Sequence, residues 1–426
     1  MQMLNLTRCL ILAMTLFAIG ARAATPSFED FDRRAKAGER LVVVFFGASL
    51  TWSANATDPA NTSYRARVAD YLEQAYPQAH FKFRDAAIGG TGSQLGVFRL
   101  DRDVLRYKPD LVFLDFSAND DIYSDNPESL ASYESLVRRI IQQAKCPLVQ
   151  VIFPFGWNTK QGNTDGMKRR DAHIAIAKAY NTMVGDAIVL SIERVKNGEA
   201  TVEKIWPNDL VHPGDFGYQL FADAAWAAFQ QGVKEKAVCS APEKMLYADT
   251  YMKQARVRIS TLGPLPEGWT SGVPNLTAAW HDALMSRWLD DEVVASNRKK
   301  VKGADGKDKE ETQAVARLKF NVKAKMLMLF GEETPSSCKY RVWIDGKVVT
   351  YTPWGAKEPI DFFDANATKF GGNRHHTMVI KTDLDPATEH LVEIEPMFDK
   401  EKDTKQELRL ESVCVAGGDA MVSPGK

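Results

Sequence analysis

The sequence of 426 residues carries 54 basic and 55 acidic side chains, and 45% of its residues are hydrophobic. A net charge of −1 gives no electrostatic reason to expect nucleic acid or an anionic membrane surface as a partner. The length is typical of two domains, each able to bury a hydrophobic core.

The N-terminal segment predicts a secretory signal peptide, residues 1–23, that is cleaved after Ala23. Arg8 gives a positively charged start, residues 9–19 form a short apolar run, and Ala21-Arg22-Ala23 is typical of a cleavage site. The run is too short to span a bilayer, and no later stretch reaches about 18 consecutive apolar residues. We therefore expect an exported protein, secreted or periplasmic, with no membrane span.

Alternating strand and helix signals extend from residue 26 to about residue 233. Strands are predicted at residues 42–46, 81–88, 111–116, 147–153 and 187–191. Helices are predicted at residues 26–40, 64–76, 95–105, 129–144, 168–185 and 216–233. This alternation indicates βαβ units and a parallel, three-layer α/β domain over residues 24–240.

The pattern changes near Ser240. Residues 241–275 contain several Pro and Gly residues and are predicted to be a linker or the start of a second domain. Short alternating runs follow, and Asp345-Gly346 between two of them is a hairpin signal. Residues 276–426 are therefore predicted to form an antiparallel, jelly-roll-like β-sandwich. The charged stretch at residues 298–311 is predicted to be a solvated loop.

Four cysteines follow the predicted cleavage site: Cys146, Cys239, Cys338 and Cys414. An even number in an exported chain permits disulfides, with three connectivities for four cysteines. The predicted domain division favours Cys146–Cys239 and Cys338–Cys414. No CxxC or HExxH spacing is present, so neither a metal nor another cofactor is expected.

Polar or glycine positions follow several predicted strands of the first domain, at the sheet edge where ligands bind in α/β folds. Ser49 is a candidate nucleophile, His212 a candidate base for its proton, and Asp209 a candidate partner for the imidazole. The Ser49 and Gly90 backbone N–H groups and the Asn119 amide are candidate donors to an oxyanion. Each residue alone has an ordinary structural interpretation, but together they indicate an acyl-transfer site.

The segments around these residues resemble the sequence blocks of the SGNH/GDSL hydrolase superfamily of serine esterases and lipases. The order and approximate spacing of the blocks agree with that family over about residues 40–232. The resemblance implies a flavodoxin-like α/β/α fold and a catalytic Ser-His-Asp triad. Ala48 stands where the family usually has an acid, and Ser117 stands where it usually has glycine. The matching segments are Gly47-Ala48-Ser49-Leu50, Ile88-Gly89-Gly90-Thr91-Gly92, Ser117-Ala118-Asn119-Asp120 and Asp209-Leu210-Val211-His212-Pro213.

The substrate is suggested by aromatic residues near the same edge and by the second domain. Trp52, Phe155 and Trp157 can stack on a sugar ring or wall an acyl pocket, or they can belong to the core. The predicted sandwich resembles the carbohydrate-binding-like modules that accompany exported carbohydrate esterases, although sandwiches host many functions. These features favour removal of O-acetyl groups from a polysaccharide or glycan.

Three alternatives stay open at this point: an exported lipase or arylesterase of broader acyl range, an O-acetyltransferase with the same triad, and a non-catalytic glycan-binding protein. The remaining histidines lack comparable partners along the sequence and are interpreted as structural or surface residues. A metal at His375-His376 is not expected, because two adjacent histidines in a polar loop seldom form a metal site.

Overall fold

The computed structural model describes residues 25–275, 289–353, 355–366, 374–401 and 404–425. The predicted signal peptide lies outside the described residues. Within them, no helix combines the length and the apolar character needed to cross a membrane.

The first domain has a five-stranded parallel sheet with helices on its faces. Its strands are β1 (Arg40–Gly47), β2 (His80–Ala87), β3 (Leu111–Leu114), β4 (Leu148–Ile152) and β5 (Met183–Asp186). The spatial order β2-β1-β3-β4-β5 is the flavodoxin-like order, which confirms the predicted fold. The helices are α1 (Phe28–Lys36), α2 (Ser49–Trp52), α3 (Tyr64–Ala75), α4 (Ser93–Asp103), α5 (Pro127–Arg139), α6 (Gly156–Gln161), α7 (Lys168–Tyr180), α8 (Ala187–Lys196), α9 (Val202–Ile205) and α10 (Asp215–Glu235).

Strand β1 lies at the centre of this domain and pairs with β2 and β3. Residues 43–47 are fully buried because helices cover both faces of the sheet, which explains the unbroken apolar run in the sequence. Phe45 stacks on Phe113 of the neighbouring strand with ring centroids 5.2 Å apart. The end of β1 is thus held firmly where Ser49 follows.

The predicted fifth strand at residues 187–191 is wrong, because these residues begin helix α8. The fifth strand lies just before it, within a segment that was predicted to continue helix α7. Asn181 adopts the left-handed conformation and ends α7 at Tyr180. The Asp186 carboxylate then accepts the N–H groups of Ile188 and Val189, which caps α8. Short buried apolar runs do not distinguish a helix from a strand.

The second domain is a sandwich of two six-stranded antiparallel sheets, as predicted. Its strands are β6 (Gln254–Arg258), β7 (Trp269–Gly272), β8 (Glu292–Ser296), β9 (Arg298–Lys302), β10 (Asp308–Thr312), β11 (Leu318–Lys323), β12 (Met326–Glu333), β13 (Lys339–Ile344), β14 (Lys347–Val348), β15 (Phe363–Asp364), β16 (Arg374–Lys381), β17 (His390–Met397), β18 (Glu407–Ala416) and β19 (Met421–Pro424). The inner sheet has the order β16-β12-β18-β8-β7, with β6 also beside β18. The outer sheet has the order β14-β13-β17-β11-β19, with β15 beside β13.

The structure resolves one open prediction about the second domain and corrects another. Strands β6 and β7 already pair within the inner sheet, so the sandwich begins before residue 276 and inside the segment predicted as a linker or domain start. The charged stretch at residues 298–311 is an antiparallel pair, β9 with β10, and not a loop. Its strands are largely exposed, which is why no apolar alternation marks them in the sequence.

The inner sheet packs against the first domain. Along β12, Met326, Met328 and Phe330 belong to the core of the first domain. The intervening Leu327 and Leu329 belong to the core of the sandwich. Alternate side chains of a strand point to opposite faces, so one sheet serves as a wall of both cores.

The predicted disulfides are wrong, because the four described cysteines are buried free thiols. Cys338 lies in the core of the sandwich, whereas Cys414 lies in the core of the first domain. They are therefore on opposite sides of the inner sheet. Cys146 and Cys239 share the core of the first domain but stay unbonded. Buried thiols of this kind act as small apolar side chains, a role that an even cysteine count does not reveal.

Candidate active site

The candidate nucleophile lies in a tight turn between β1 and α2. Ser49 is the first residue of α2, at the C-terminal edge of the sheet. A Cβ added to Gly47 would lie 2.1 Å from Thr51 Oγ1 and 2.6 Å from the Asp115 carbonyl oxygen, so only glycine fits there. Arg65 donates to the carbonyl oxygens of Thr51 and Trp52 at 3.0 and 3.1 Å and holds the end of this short helix.

The structure brings Ser49 and His212 together from positions 163 residues apart. His212 Nε2 lies 3.0 Å from Ser49 Oγ, which is hydrogen-bond range and the reach required of a general base. Burial lowers the pKa of His212, and the nearby charge of Asp209 partly opposes that shift. The imidazole is therefore neutral near pH 7 and able to accept a proton.

Asp209 holds the triad loop (residues 209–212) chiefly through the backbone. Its Oδ1 accepts the N–H groups of Val211 at 2.7 Å and His212 at 2.8 Å. The same oxygen is 3.9 Å from His212 Nδ1, which is too long for a hydrogen bond. Burial raises the pKa of Asp209, but the hydrogen bonds to its carboxylate outweigh burial and leave the pKa below its usual value. Asp209 is thus ionised beside the imidazole.

Asn55 is a second partner of Asp209 that the sequence did not assign to the site. Its Nδ2 donates to Asp209 Oδ2 at 2.9 Å and to the His212 carbonyl oxygen at 3.4 Å. The backbone of Asn55 is left-handed, with φ of 70°, a conformation that asparagine tolerates better than most residues. No local pattern predicts this contact, because it joins segments 154 residues apart.

The candidate oxyanion donors lie around the same strand ends. The Ser49 N–H begins α2, so it has no partner within that helix. A Cβ on Gly89 would lie 3.6 Å from Ser49 Cβ, which places the oxyanion turn (residues 89–92) against the nucleophile. Asp120 Oδ1 accepts the Ser93 N–H at 2.9 Å and joins this turn to the loop of Asn119. Asn119 Oδ1 is buried and accepts no hydrogen bond from the described residues.

Ser117, which departs from the family pattern, uses its hydroxyl in hydrogen bonds between neighbouring strand ends. Its hydroxyl donates to Asp115 Oδ1 at 3.0 Å and accepts the Phe153 N–H at the same distance. It therefore joins the ends of β3 and β4 beneath the site. Burial raises the pKa of Asp115 to about 7, against the opposing effect of its hydrogen bonds with Ser117.

The predicted aromatic residues also lie near this edge. A Cβ on Gly89 would lie 3.4 Å from Trp52 Cε3, so the Trp52 ring covers the oxyanion turn. Phe155 and Trp157 pack together with ring centroids 4.6 Å apart. The Gly156 N–H donates to the Leu210 carbonyl at 2.7 Å, which places this pair beside the triad loop. Trp157 is 42% exposed and Leu210 is 41% exposed, so an apolar surface adjoins the site.

The adjacent histidines of the second domain are not in a polar loop. His375 and His376 belong to strand β16, and both are buried. His375 packs against Gly90 of the oxyanion turn, a contact that only the folded arrangement of the two domains reveals. Across the described parts of the chain, His, Cys, Asp and Glu side chains form no cluster of three or more that could hold a metal.

Residues 45–220 match the model of the GDSL-like lipase/acylhydrolase family. These residues form a GDSL-like acylhydrolase domain. The matched range includes the five residues predicted for the triad and the oxyanion hole. A domain of this family indicates a carboxylic ester hydrolase.

Solved structures extend the likeness of this GDSL-like esterase to its second domain. Two crystal structures of a two-domain esterase active on acetylated mannans, one with mannopentaose, are 23% identical to the chain, with TM-scores of 0.67 and 0.68. Each covers 91% of this chain and 94% of its own, so the two-domain fold is shared. An acetylxylan esterase from Geobacillus stearothermophilus covers 46% of this chain and 96% of its own, with 22% identity and a TM-score of 0.38. A search of curated proteins found no match.

Proposed function

We propose that this esterase removes O-acetyl groups from a polysaccharide or glycan by a Ser-His-Asp acyl-enzyme mechanism. The observation that carries the proposal is the 3.0 Å contact between His212 Nε2 and Ser49 Oγ at the C-terminal edge of the sheet. A serine hydroxyl is a weak nucleophile until a neighbouring base accepts its proton, and this contact supplies that base.

In the first step Ser49 Oγ attacks the ester carbonyl carbon while its proton passes to His212 Nε2. The Ser49 N–H, the Gly90 N–H and the Asn119 amide donate to the oxyanion of the tetrahedral intermediate. The ionised Asp209 stabilises the imidazolium that forms. His212 then protonates the departing sugar oxygen, which leaves an acetyl group on Ser49.

In the second step His212 accepts a proton from water as the water oxygen attacks the acetyl carbonyl. The same donors hold the second oxyanion. Collapse of this intermediate breaks the bond to Ser49 Oγ, and His212 returns the proton to the serine. Acetate leaves, and no cofactor takes part in either step.

Two observations support a glycan as the substrate. The exposed side chains of Trp157 and Leu210 adjoin the triad loop, and an indole face is suited to stacking on a sugar ring. The structural neighbour that shares both domains acts on acetylated mannans, which makes that polymer the first to test. A polymeric substrate also agrees with the export that the N-terminal sequence predicts.

The same apolar surface also suits an acyl chain, so a lipase or arylesterase of broader range is the second candidate. The test is acetate release by the chain beginning at Ala24 from acetylated mannan, acetylated xylan and acetylated pectin. Hydrolysis of p-nitrophenyl acetate and octanoate is measured alongside, with Ser49→Ala as the control. We expect acetate from at least one polymer, little octanoate hydrolysis and no activity in the control. Preference for octanoate, with no acetate from any polymer, would instead favour the second candidate.

A further inference from the structure

The inner sheet presents two adjacent histidines to different environments. His376 Nε2 lies 2.7 Å from Tyr340 Oη and its Nδ1 lies 3.0 Å from Glu333 Oε1, both within the sandwich. His375, the preceding residue of β16, faces the opposite way because side chains alternate along a strand. Its imidazole therefore faces the hydrolase domain.

His375 meets the hydrolase domain at Gly90, a candidate oxyanion donor. A Cβ added to Gly90 would lie 3.2 Å from His375 Cε1 and 3.8 Å from its Nε2, so the ring lies directly against this glycine. A hydrogen bond with the Gly90 backbone also raises the pKa of His375. A bond that raises the pKa of a histidine favours its N–H as donor, so the Gly90 carbonyl is the acceptor. Burial has the larger effect and lowers the pKa to about 4, which keeps the ring neutral near pH 7.

The oxyanion turn needs such a contact because of its own sequence. Gly90 has φ of +71°, in a run that contains Gly89, Gly90 and Gly92. Glycine has no Cβ to restrict its backbone, so the direction of its N–H is poorly fixed by the chain itself. On one side, Thr91 Oγ1 donates to the Ile88 carbonyl at 2.7 Å and closes the turn. The His375 contact restrains the other side.

The strand segment that carries His375 is held within the inner sheet. Glu332 lies opposite His375 in the register of β12 with β16, and directly opposite residues share a face of the sheet. Glu332 bonds to Arg409 Nε at 3.0 Å and to the Asn275 N–H at the same distance. These buried polar contacts fix the end of the sheet that carries His375.

We propose that His375 of the β-sandwich is a positioning residue. Through its contact with the Gly90 carbonyl it restrains the φ and ψ angles of Gly90, and so helps to fix the direction in which the Gly90 N–H points toward an oxyanion. The second domain then contributes to the chemical step through the backbone of the first domain and without a contact to the reacting atoms. The inference rests on the acyl-enzyme mechanism proposed above.

The test compares His375→Phe, His375→Gln and the matched control His376→Phe, with p-nitrophenyl acetate as the substrate. Phenylalanine keeps a ring at position 375 but removes the donor, whereas glutamine retains an N–H. The control makes the same substitution at the next residue of the strand, on the face away from Gly90. This small ester has no glycan to bind, so any effect reports on the acyl-transfer site. Binding of phenylboronic acid, which forms a tetrahedral adduct with an active serine, is measured on each variant.

We expect His375→Phe to lower kcat by about 10-fold with KM little changed, less than the ~10²–10³ typical of deleting a donor. The inhibition constant of phenylboronic acid should rise by a similar factor. His375→Gln should recover part of kcat, and His376→Phe should retain it even if its melting temperature falls. Unchanged kcat in His375→Phe, equal losses in both phenylalanine variants, or no recovery with glutamine would overturn the inference. Ser49→Ala tests the acyl-enzyme mechanism separately from the role of His375. Full activity in Ser49→Ala would contradict the mechanism.

Discussion

The Asp209 carboxylate contacts the backbone of the triad loop more closely than it contacts the His212 imidazole. Asp209 bonds to the N–H groups of Val211 and His212 and to the amide of Asn55, and its Oδ1 stays 3.9 Å from His212 Nδ1. Its effects on His212 are therefore of two kinds. It fixes the loop that aims the ring at Ser49, and its negative charge favours the imidazolium.

The Asp209→Asn substitution separates these effects in the pH dependence of kcat/KM. In the proposed mechanism activity requires neutral His212, so the acid limb should follow its pKa, which burial places below the ordinary value of about 6.5. The Asp209 charge raises that pKa, so its removal should move the acid limb to lower pH. The plateau should fall by less than about 10⁴-fold, the loss typical of an aspartate bonded directly to the ring. An acid limb that moves to higher pH would contradict this account.

The strand-to-helix turn at residues 47–49 carries Ser49, the proposed nucleophile. A Cβ at Gly47 would lie 2.6 Å from the carbonyl oxygen of Asp115, a backbone atom of the neighbouring segment that cannot rotate away. Arg99 also donates to the Gly47 carbonyl at 2.7 Å from within the core. The turn is therefore clamped on both sides.

Gly47→Ala should displace this turn and with it Ser49. Overpacking of a filled site costs about 1–3 kcal/mol of unfolding free energy, and displacement of the hydroxyl should lower kcat more than KM. Thermal unfolding and p-nitrophenyl acetate kinetics measure the two effects on the same preparation. If Gly47→Ala had native stability and native kcat, the turn would have space for a Cβ at position 47, which contradicts the distances given above.

Much of this arrangement follows from element-scale patterns in the sequence. The apolar runs of β1 and β3 end just before Ser49 and Asn119, and the chain order of a parallel α/β sheet brings such ends to one edge. Asn55 and His375 could not be predicted, because their partners lie far away in the chain and neither residue stands in a distinctive pattern. The predicted Cys338–Cys414 disulfide was wrong for a similar reason, because the sequence does not show which face of the inner sheet holds Cys414.

At the scale of the whole molecule, the inner sheet joins the two domains because it forms one wall of each domain's core. Phe330 is buried among residues of the hydrolase core, and the Arg256 guanidinium lies 4.9 Å from the centroid of its ring. Gln94 of α4 donates to Tyr251 Oη at 2.9 Å and adds a polar link to the segment that leads into β6. A sheet that forms a wall of both cores couples their stability.

Phe330→Ala should destabilise both domains together. A buried phenylalanine truncated to alanine costs about 3–5 kcal/mol, and here the cavity would open where the inner sheet packs against the hydrolase domain. Differential scanning calorimetry should show one cooperative transition in the wild type, shifted as a whole in the variant. Two separate transitions, of which only the second moves, would mean that the domains unfold independently.

Covalent labelling shows whether Ser49 is the nucleophile. A fluorophosphonate phosphonylates an activated serine, and peptide mass mapping locates the modified residue. We predict one label on the peptide that contains Ser49, none in Ser49→Ala, and much slower labelling in His212→Ala because the base is lost. Labelling elsewhere at the wild-type rate, or an unlabelled protein that still hydrolyses p-nitrophenyl acetate, would contradict the account.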